Sequence, residues 1–373
     1  MNKKYEIAFL AHYPNLKDKN INGMDVRIYS IDSIFNEYKR CYIESGRYPI
    51  KNFLYYIARD IKHWNFFKKF YNDENLNTLQ YVSKNKYSKI FENAKIIYIH
   101  SLYNTRKLPQ IFLEKYGHKI VLDIHGCVPE EWAHQKISQK NINRCEKEEQ
   151  RIFKNVKNFV CVSEQMVNFY KNKYPQTKNA NYIVAPIFSL NTEASYAKTQ
   201  EADNKINIIY SGDCAKWQNA DLMIKTIALL KNNNNYTFSI FTKQIDAFNE
   251  LLQKYNCTDI KIESKTQNEI FSEYKTHHFG FILRDNILVN RIACPTKLID
   301  YMQNGIIPIV LQPEIGDFNM LGYKYILNED LINGKIPSID EQNEMRRINY
   351  EIIQKLNKKT QDAKQKLLNF NKG

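Results

Sequence analysis

The stretch GFILRDNILVNRIACPTKLIDYMQNGIIPIV, residues 280–310, decides the fold. Its pattern predicts an apolar strand, a polar loop, a helix, a glycine turn and a second apolar strand. In open parallel sheets, ligands bind at the carboxyl ends of the strands, where this loop would lie. Such a loop favours an anionic, polar ligand. Its polar and ionisable side chains are Arg284, Asp285, Asn290, Arg291, Thr296 and Lys297.

Strands alternate with helices on both sides of this stretch. We predict strands at residues 5–11, 95–100, 119–124, 158–162, 182–186, 206–210, 237–241, 260–263, 279–283 and 306–311. We predict helices at about residues 24–38, 139–154, 221–231, 244–255, 268–276 and 297–303, and one from residue 164. This alternation predicts an α/β protein with two doubly wound, Rossmann-like domains that face each other across a cleft.

A polar segment divides the two halves of the chain. Residues 189–205 contain few large apolar side chains and are predicted to be the linker. We therefore place an N-terminal domain at 1–188 and a C-terminal domain at 206–339. Residues 340–373 are highly charged and predict a helix that packs back across both domains.

Composition narrows the class of protein. A chain of 373 residues with 43% hydrophobic residues can form two buried cores. The mean hydropathy of −0.56, without an apolar run near the roughly 18 residues of a membrane span, argues against a transmembrane helix. The first residues, MNKKYEIAFLAHYPN, predict a strand and not a signal peptide. Seven scattered cysteines without CxxC spacing indicate reduced thiols in a cytoplasm and argue against a zinc site.

The positive charge is concentrated in the first half. Residues 1–188 contain 31 lysines and arginines against 18 acidic residues, whereas residues 189–373 contain 23 against 22. A basic half indicates an anionic partner, such as a membrane surface, a lipid-linked phosphate or a nucleic acid. The alternative explanation is a compositional bias of the source genome toward lysine and asparagine. Residues 51–70, which mix aromatic rings with lysines, fit either a membrane interface or a core.

Several polar residues follow predicted strands. His125 and Gly126 come directly after one strand, and Ser211 and Gly212 follow another. A histidine at this edge can exchange a proton or a hydrogen bond with a reacting hydroxyl near neutral pH. Gly23 precedes the first helix, where a missing Cβ allows a ligand to approach the helix amides.

Four motifs carry a resemblance to a known family, and their order and spacing along the chain are part of it. PTKLIDYMQNGIIPIV from Pro295, VLDIHG ending at Gly126, VCVSE ending at Glu164 and IIYSG ending at Gly212 are similar to landmarks of the GT-B nucleotide-sugar glycosyltransferases. Within them, the chain resembles the retaining family 4 group, glycosyl transferases group 1. The resemblance implies the GT-B fold over nearly the whole chain.

The resemblance also implies roles for individual residues. Asp300 would bind the nucleotide ribose, Lys297 a phosphate oxygen, and His125 the donor sugar. The backbone at Gly23 would meet the sugar phosphate. The implied donor-binding residues are Gly23, Ser211, Gly212, Lys216, Pro295, Thr296, Lys297 and Asp300. The implied catalytic residues are His125, Arg284, Asn290 and Arg291.

Two positions depart from the family pattern. Asp213 follows Gly212 where an arginine is common, and Ile292 stands where the family has a glutamate that faces the sugar. Arg284, Asn290 and Arg291 are the available substitutes. The sequence contains no DxD-like cluster, so we expect neither a metal ion nor another cofactor, and cationic side chains would stabilise the diphosphate.

The resemblance predicts a metal-independent retaining hexosyltransferase. It would move a sugar from a nucleotide sugar to a lipid-linked or cell-surface polysaccharide or oligosaccharide acceptor. We expect a place in polysaccharide and cell-envelope biosynthesis, in the cytoplasm, with possible peripheral contact on the cytoplasmic membrane face. A catalytically silent scaffold and a sugar-nucleotide epimerase of the same fold remain alternatives. No nucleic-acid-binding module is recognisable, and no GxGxxG of a dehydrogenase follows Ala11 or Tyr210.

Overall fold

The computed structural model describes residues 4–14, 23–44, 75–79, 84–186 and 205–370. The predicted linker at 189–205, apart from Lys205, lies outside the described residues. The aromatic and basic segment 51–70 lies outside them as well. In the part of the chain that is described, no helix has both the length and the apolar character needed to cross a bilayer.

The first half forms a parallel sheet of seven strands. Its strands are β1 (Ile7–Leu10), β2 (Arg40–Ile43), β3 (Leu76–Leu79), β4 (Ile96–His100), β5 (Ile120–Ile124), β6 (Asn158–Cys161) and β7 (Asn181–Val184). They lie in the order β3-β2-β1-β4-β5-β6-β7. Strands β4 and β5 are buried along their whole length, as expected of parallel strands with helices on both faces.

The second half forms a parallel sheet of six strands in the order β10-β9-β8-β11-β12-β13. These are β8 (Ile206–Ser211), β9 (Tyr236–Phe241), β10 (Lys261–Glu263), β11 (Phe279–Ile282), β12 (Ile307–Val310) and β13 (Ile326–Leu327). In both sheets the order reverses beside the first strand, β1 or β8. This reversal opens a crevice at the carboxyl edge of each sheet, and the predicted doubly wound α/β architecture is confirmed.

The helices cover the faces of the two sheets. They are α1 (Gly23–Asp32), α2 (Lys84–Asn93), α3 (Gln110–Tyr116), α4 (Val128–His134), α5 (Gln139–Asn155), α6 (Glu164–Lys173), α7 (Ala220–Leu230), α8 (Ile245–Lys254), α9 (Gln267–Glu273), α10 (Leu288–Ile292), α11 (Thr296–Gln303), α12 (Phe318–Leu321), α13 (Asn328–Ile332) and α14 (Ile339–Asn369). Helix α1 is shorter than predicted, and a turn of 3₁₀ helix at Ser33–Phe35 follows it.

Every predicted strand is present with its ends shifted by a residue or two, but β2, β3 and the short strand β13 were not predicted. Strand β2 has the sequence RCYI and begins with a fully buried arginine. Asp32 and the carbonyl oxygen of Phe35 accept hydrogen bonds from the guanidinium of Arg40. The buried charge is tolerated because these partners, which precede Arg40 by eight and five positions, satisfy it, and an arginine in a short apolar run gives no hydrophobic pattern that predicts a buried strand.

Helix α14 contacts both halves of the molecule. It begins with a capping box in which the side chains of Ser338 and Glu341 each bond the other's backbone amide. Ile353 is buried in a cluster with Leu298 of α11, and Leu367 is buried in a cluster with Ile28 of α1. The helix therefore connects the two sheets through apolar packing.

Polar contacts also join the halves at the start of α6. The Asp317 carboxylate accepts hydrogen bonds from the amides of Glu164 at 2.8 Å and Gln165 at 3.0 Å. Ser163 caps the same helix by accepting from the Met166 amide, and its hydroxyl donates to the Ile292 carbonyl at 2.6 Å. A carboxylate at a helix amino terminus also interacts favourably with the helix dipole.

Candidate active site

Two cations lie at the carboxyl edge of the C-terminal sheet. The first is Lys297, on the first turn of α11. Its Nζ lies 3.7 Å from the centre of the Tyr210 ring and 3.4 Å from Oε1 of Gln218. A Cβ placed on Gly212 would lie 2.6 Å from this Nζ. The glycine in the turn after β8 therefore makes room for the ammonium group.

The second cation is Arg284, just beyond β11. Its Nη1 donates to Oδ1 of Asn290 at 3.1 Å, and the Asn290 amide donates to the Asp285 carbonyl at 2.9 Å. The Nε of Arg284 is buried and has no hydrogen-bond partner within the described residues. Arg284 and Asn290, both predicted site residues, thus form one hydrogen-bonded unit.

Neither cation has a carboxylate partner within 4 Å among the residues that the structure describes. Burial lowers the pKa of Arg284 to about 10. Burial, followed by repulsion from Arg284, holds the pKa of Lys297 well below its usual range. Both charged forms are therefore disfavoured in the free protein. An anion placed between them would stabilise both charged forms, so the pair is suited to bind an anion.

Asp300 lies one helical turn after Lys297 on α11 and is partly buried. Burial and then the charge of Asp300 raise the pKa of the neighbouring Tyr274. The Tyr274 hydroxyl lies 2.9 Å from Oγ of Ser211, whose backbone amide donates to the Tyr301 hydroxyl. Asp300 and Ser211 therefore border the same tyrosine, next to the two cations.

Gly23 faces this site from the N-terminal domain. It is the first residue of α1 and not the residue before it. A Cβ built on Gly23 would lie 3.8 Å from Oγ1 of Thr296, the first residue of α11. Pro295, which is buried, precedes that helix. The amino termini of α1 and α11 thus meet across the cleft, and each presents amide groups that favour an anion.

His125 follows β5 and is the second contribution of the N-terminal domain. Its Nε2 lies 3.1 Å from Oδ2 of Asp123 and 3.4 Å from Nδ1 of His100. Its Nδ1 is buried and unpartnered within the described chain. His100, at the end of the neighbouring strand β4, is fully buried, and burial lowers its pKa to about 4.

Asp123 joins His125 to helix α1. Its carboxylate accepts from Nη2 of Arg27 at 2.7 Å and from Nε of Arg27 at 3.0 Å. Burial alone would raise the pKa of Asp123, but the charge of Arg27 and the bonds from the histidines hold it well below its usual range. Both members of this ion pair are almost inaccessible to solvent.

The three groups His100, Asp123 and His125 place one nitrogen or oxygen each within 4.8 Å of one another, as a metal site would. Three physical features argue against a cation there. The carboxylate already accepts from the Arg27 guanidinium, and a divalent ion would lie beside that buried positive charge. The outer nitrogens of both histidines, which metal-bound histidines normally hydrogen-bond, have no partners in the described structure. The set therefore fits a hydrogen-bonded network better than a metal centre.

Two predicted site residues make other contacts. Arg291, on α10, is exposed and donates to Oδ1 of Asn286 at 3.2 Å. Lys216 is exposed, and its Nζ lies 3.3 Å from the carbonyl oxygen of His134 in the N-terminal domain. Ile292, which replaces the family's glutamate, is buried with 4% of its surface exposed. Its side chain belongs to the core.

The sequence interpretation did not identify Arg27, His100 or Asp123 as site residues. Asp123 was quoted within the VLDIHG motif, and an aspartate in an otherwise apolar buried strand is the signal that could have indicated it. Arg27 carries no such local signal. It lies 96 positions before Asp123, and only the packing of α1 against β5 brings the two together.

Comparison of the whole chain with known proteins identifies its fold. No protein-family model and no curated protein matches the chain. Sucrose-phosphate synthase (tll1590) from Thermosynechococcus elongatus superposes with a TM-score of 0.65 at 11% identity, covering 97% of this chain and 98% of that chain. WaaG, a glycosyltransferase involved in lipopolysaccharide biosynthesis, gives 0.57 at 10% identity over 95% of both chains.

A third similar structure has a sugar nucleotide bound. The E. coli protein described as trehalose-6-phosphate bound with UDP-2-fluoro glucose gives a TM-score of 0.59 at 10% identity, covering 98% of both chains. At these identities the likeness concerns the fold. The predicted fold is therefore confirmed: this chain has the GT-B fold, with two Rossmann-like domains.

Proposed function

We propose that this chain is a retaining glycosyltransferase that takes a sugar from a nucleotide-sugar donor. The observation that carries the proposal is the pair Arg284 and Lys297, two partly buried cations with no carboxylate within 4 Å among the described residues. The charge of Asp213 acts on both at longer range and offsets only part of the effect of burial. They lie at the switch point of the C-terminal sheet, opposite the amino terminus of α1. A nucleoside diphosphate supplies the negative charge that this position lacks.

The chemistry follows from where charge develops. When the bond between the anomeric carbon and the diphosphate breaks, negative charge grows on the leaving oxygens. Fixed cations and helix amino termini aimed at those oxygens stabilise the transition state more than the ground state. Arg284 and Lys297 would do so without a metal ion. Fixed positive side chains need little reorganisation as the reaction proceeds.

The remaining residues would orient the donor. Asp300, one turn beyond Lys297, would accept hydrogen bonds from the ribose hydroxyls. The amides at Gly23 and Thr296 would face the sugar phosphate, and His125 would contact the glycosyl group. Binding of UDP-2-fluoro glucose by a protein of this fold supports a nucleotide sugar as the ligand class.

The proposed acceptor is a lipid-linked or cell-surface glycan held by the N-terminal domain. Its support is the distribution of charge, since residues 1–188 contain 31 basic against 18 acidic residues. A basic surface attracts phosphate-bearing lipids and the anionic inner membrane face. Co-sedimentation with vesicles, with and without anionic lipid, tests the membrane contact.

A thermal-shift panel of UDP, GDP and ADP, each alone and as a sugar nucleotide, tests the donor site. We expect at least one diphosphate to raise the melting temperature. Lys297→Met should abolish the shift, because the anion loses one of its two cations. The control is Lys275→Met, which removes an exposed lysine of the same domain. If no nucleotide stabilises the wild-type chain, the proposal is wrong.

Turnover separates a transferase from a silent binding protein. A labelled donor should be consumed with an added glycan acceptor, in buffer containing EDTA as well as in buffer with Mg²⁺. NMR of the product should show the anomeric configuration of the donor retained. Binding without turnover toward any acceptor would favour the scaffold alternative, and loss of turnover in EDTA would contradict metal independence.

A further inference from the structure

We infer that Asp123 and Arg27 are positioning residues for His125. They fix its proton on Nε2, so that the unprotonated Nδ1 is presented to a hydroxyl group of the ligand. The tautomer itself is a property of the protein alone. Only the identification of that hydroxyl as part of the donor's glycosyl group depends on the proposed function.

The first step of the argument is the charge on Asp123. A carboxylate that accepts two hydrogen bonds from a buried guanidinium, at 2.7 and 3.0 Å, is held ionised. An ionised carboxylate only accepts hydrogen bonds. The His125 nitrogen 3.1 Å from Oδ2 must therefore carry the proton. In the neutral ring, this leaves Nδ1 without one.

The second step concerns His100, the other histidine at this carboxylate. Its Nδ1 lies 3.3 Å from Oδ2 of Asp123 and 3.4 Å from Nε2 of His125. His100 is fully buried and neutral at pH 7, so it has one proton, which Asp123 accepts. The two histidine nitrogens that face each other are thus both donors to one oxygen. Neither nitrogen can accept a hydrogen bond from the other, so His100 does not offer His125 an alternative hydrogen-bond partner.

The third step is the anchoring of the carboxylate. Nη1 of Arg27 donates to the carbonyl oxygen of Ala185 at 2.7 Å, which fixes the guanidinium beyond β7. Arg27 lies on α1, one turn after Gly23, whose backbone faces Thr296 across the cleft. The ion pair between Arg27 and Asp123 therefore fixes the position of Gly23 relative to His125. Both residues are proposed to face the nucleotide sugar.

The fourth step is the ligand group that fits. Nδ1 of His125 is buried and has no partner among the described residues. A buried acceptor without a donor is costly, and a hydroxyl from a ligand would satisfy it. A neutral imidazole with a free lone pair cannot donate to a phosphate through this atom. The phosphates are left to Arg284 and Lys297, and the hydroxyl would belong to the glycosyl group.

The test is ¹⁵N NMR of the full-length chain labelled at histidine, at pH 7. The His125→Gln variant identifies the resonances of His125. We expect a pyrrole-like Nε2 and a pyridine-like Nδ1 for His125 in the wild-type protein. A proton on Nδ1, or on both nitrogens, would overturn the inference, and this measurement needs neither substrate nor a folded Asp123 variant.

A second measurement separates positioning from mere stability. Asp123→Asn should shift His125 toward the other tautomer and weaken nucleotide-sugar binding about tenfold more than nucleoside-diphosphate binding. The matched control is Asp32→Asn, which disrupts another buried pair in the same domain, with Arg40. It should leave the His125 spectrum unchanged. Equal losses of both ligands in Asp123→Asn would indicate a structural role and contradict the inference.

The two proposals fail in different ways. If no nucleotide binds but His125 carries its proton on Nε2, the proposed function is wrong and the positioning network stands. If nucleotide sugars bind but His125 carries its proton on Nδ1, the network is wrong and the donor site stands.

Discussion

Replacing Arg284 with methionine should stabilise the ligand-free protein while removing its response to nucleotide. Burial lowers the pKa of Arg284 to about 10, more than two pH units below that of a free guanidinium. At about 1.4 kcal/mol per unit, this corresponds to up to about 3 kcal/mol against the charged form in the fold. Burial of Arg284 destabilises the folded protein at pH 7, because the guanidinium is charged in both the folded and the unfolded state.

The substitution also removes one interaction. The hydrogen bond from Arg284 to Asn290 contributes roughly 1 kcal/mol. The expected net gain is therefore about 2 kcal/mol in the free energy of unfolding. Because a gain of 1 kcal/mol raises the melting temperature by about 2–4 °C in a domain of this size, we expect a rise of about 4–8 °C.

Calorimetry of the wild-type and variant proteins, with and without the best nucleotide of the panel, measures both effects. A ligand at a hundred times its dissociation constant adds about 2.7 kcal/mol to the wild-type protein, and this addition should be largely lost in Arg284→Met. Arg144→Met removes an exposed arginine of α5 and should change stability by less than about 0.5 kcal/mol.

A loss of more than about 1 kcal/mol in the stability of the ligand-free Arg284→Met protein would contradict this prediction, because other groups of the protein would then compensate the Arg284 charge. The prediction is also refuted if the nucleotide stabilises Arg284→Met as much as the wild-type protein. In that case the anion binds elsewhere.

Three further changes probe other parts of the structure. Gly212→Ala should weaken nucleotide binding at least tenfold by calorimetric titration, because its Cβ would lie 2.6 Å from the Lys297 ammonium; Gly322→Ala, which meets nothing within 4 Å, should not. Asp317→Ala should cost about 1–2 kcal/mol in urea unfolding by uncapping α6, and an unchanged midpoint would contradict this. Because the folded pKa of His100, about 4, lies below its ordinary value of 6.5, the unfolded state binds more protons between these limits. Stability should therefore fall by up to about 3 kcal/mol from pH 6.5 to pH 4, and His100→Asn should reduce this slope.

The two-sheet α/β architecture could be predicted from the sequence, except for the strands β2, β3 and β13. Apolar runs buried on both faces, such as KIIYIH and KIVLDI, predict parallel strands wherever they occur, because burial depends on local hydrophobicity. The segment from Pro295 to Val310 likewise indicated a helix between two buried strands, with Lys297 and Asp300 one turn apart. Spacings of this kind join residues within one helix or strand or in the next one, and they follow from the regular repeat of the helix and the strand.

Which of these polar residues meet depends on tertiary packing. Arg284 and Lys297 become a pair with no carboxylate within 4 Å in the described part of the chain, because β11 and α11 bring them to one edge. Their lowered pKa values depend on burial that no local pattern shows. Arg27 reaches Asp123 from 96 positions away. Arg291, close to Arg284 in sequence, lies on an exposed face of α10 instead. Contact across elements depends on packing and long-range ion pairing, and sequence spacing does not report either.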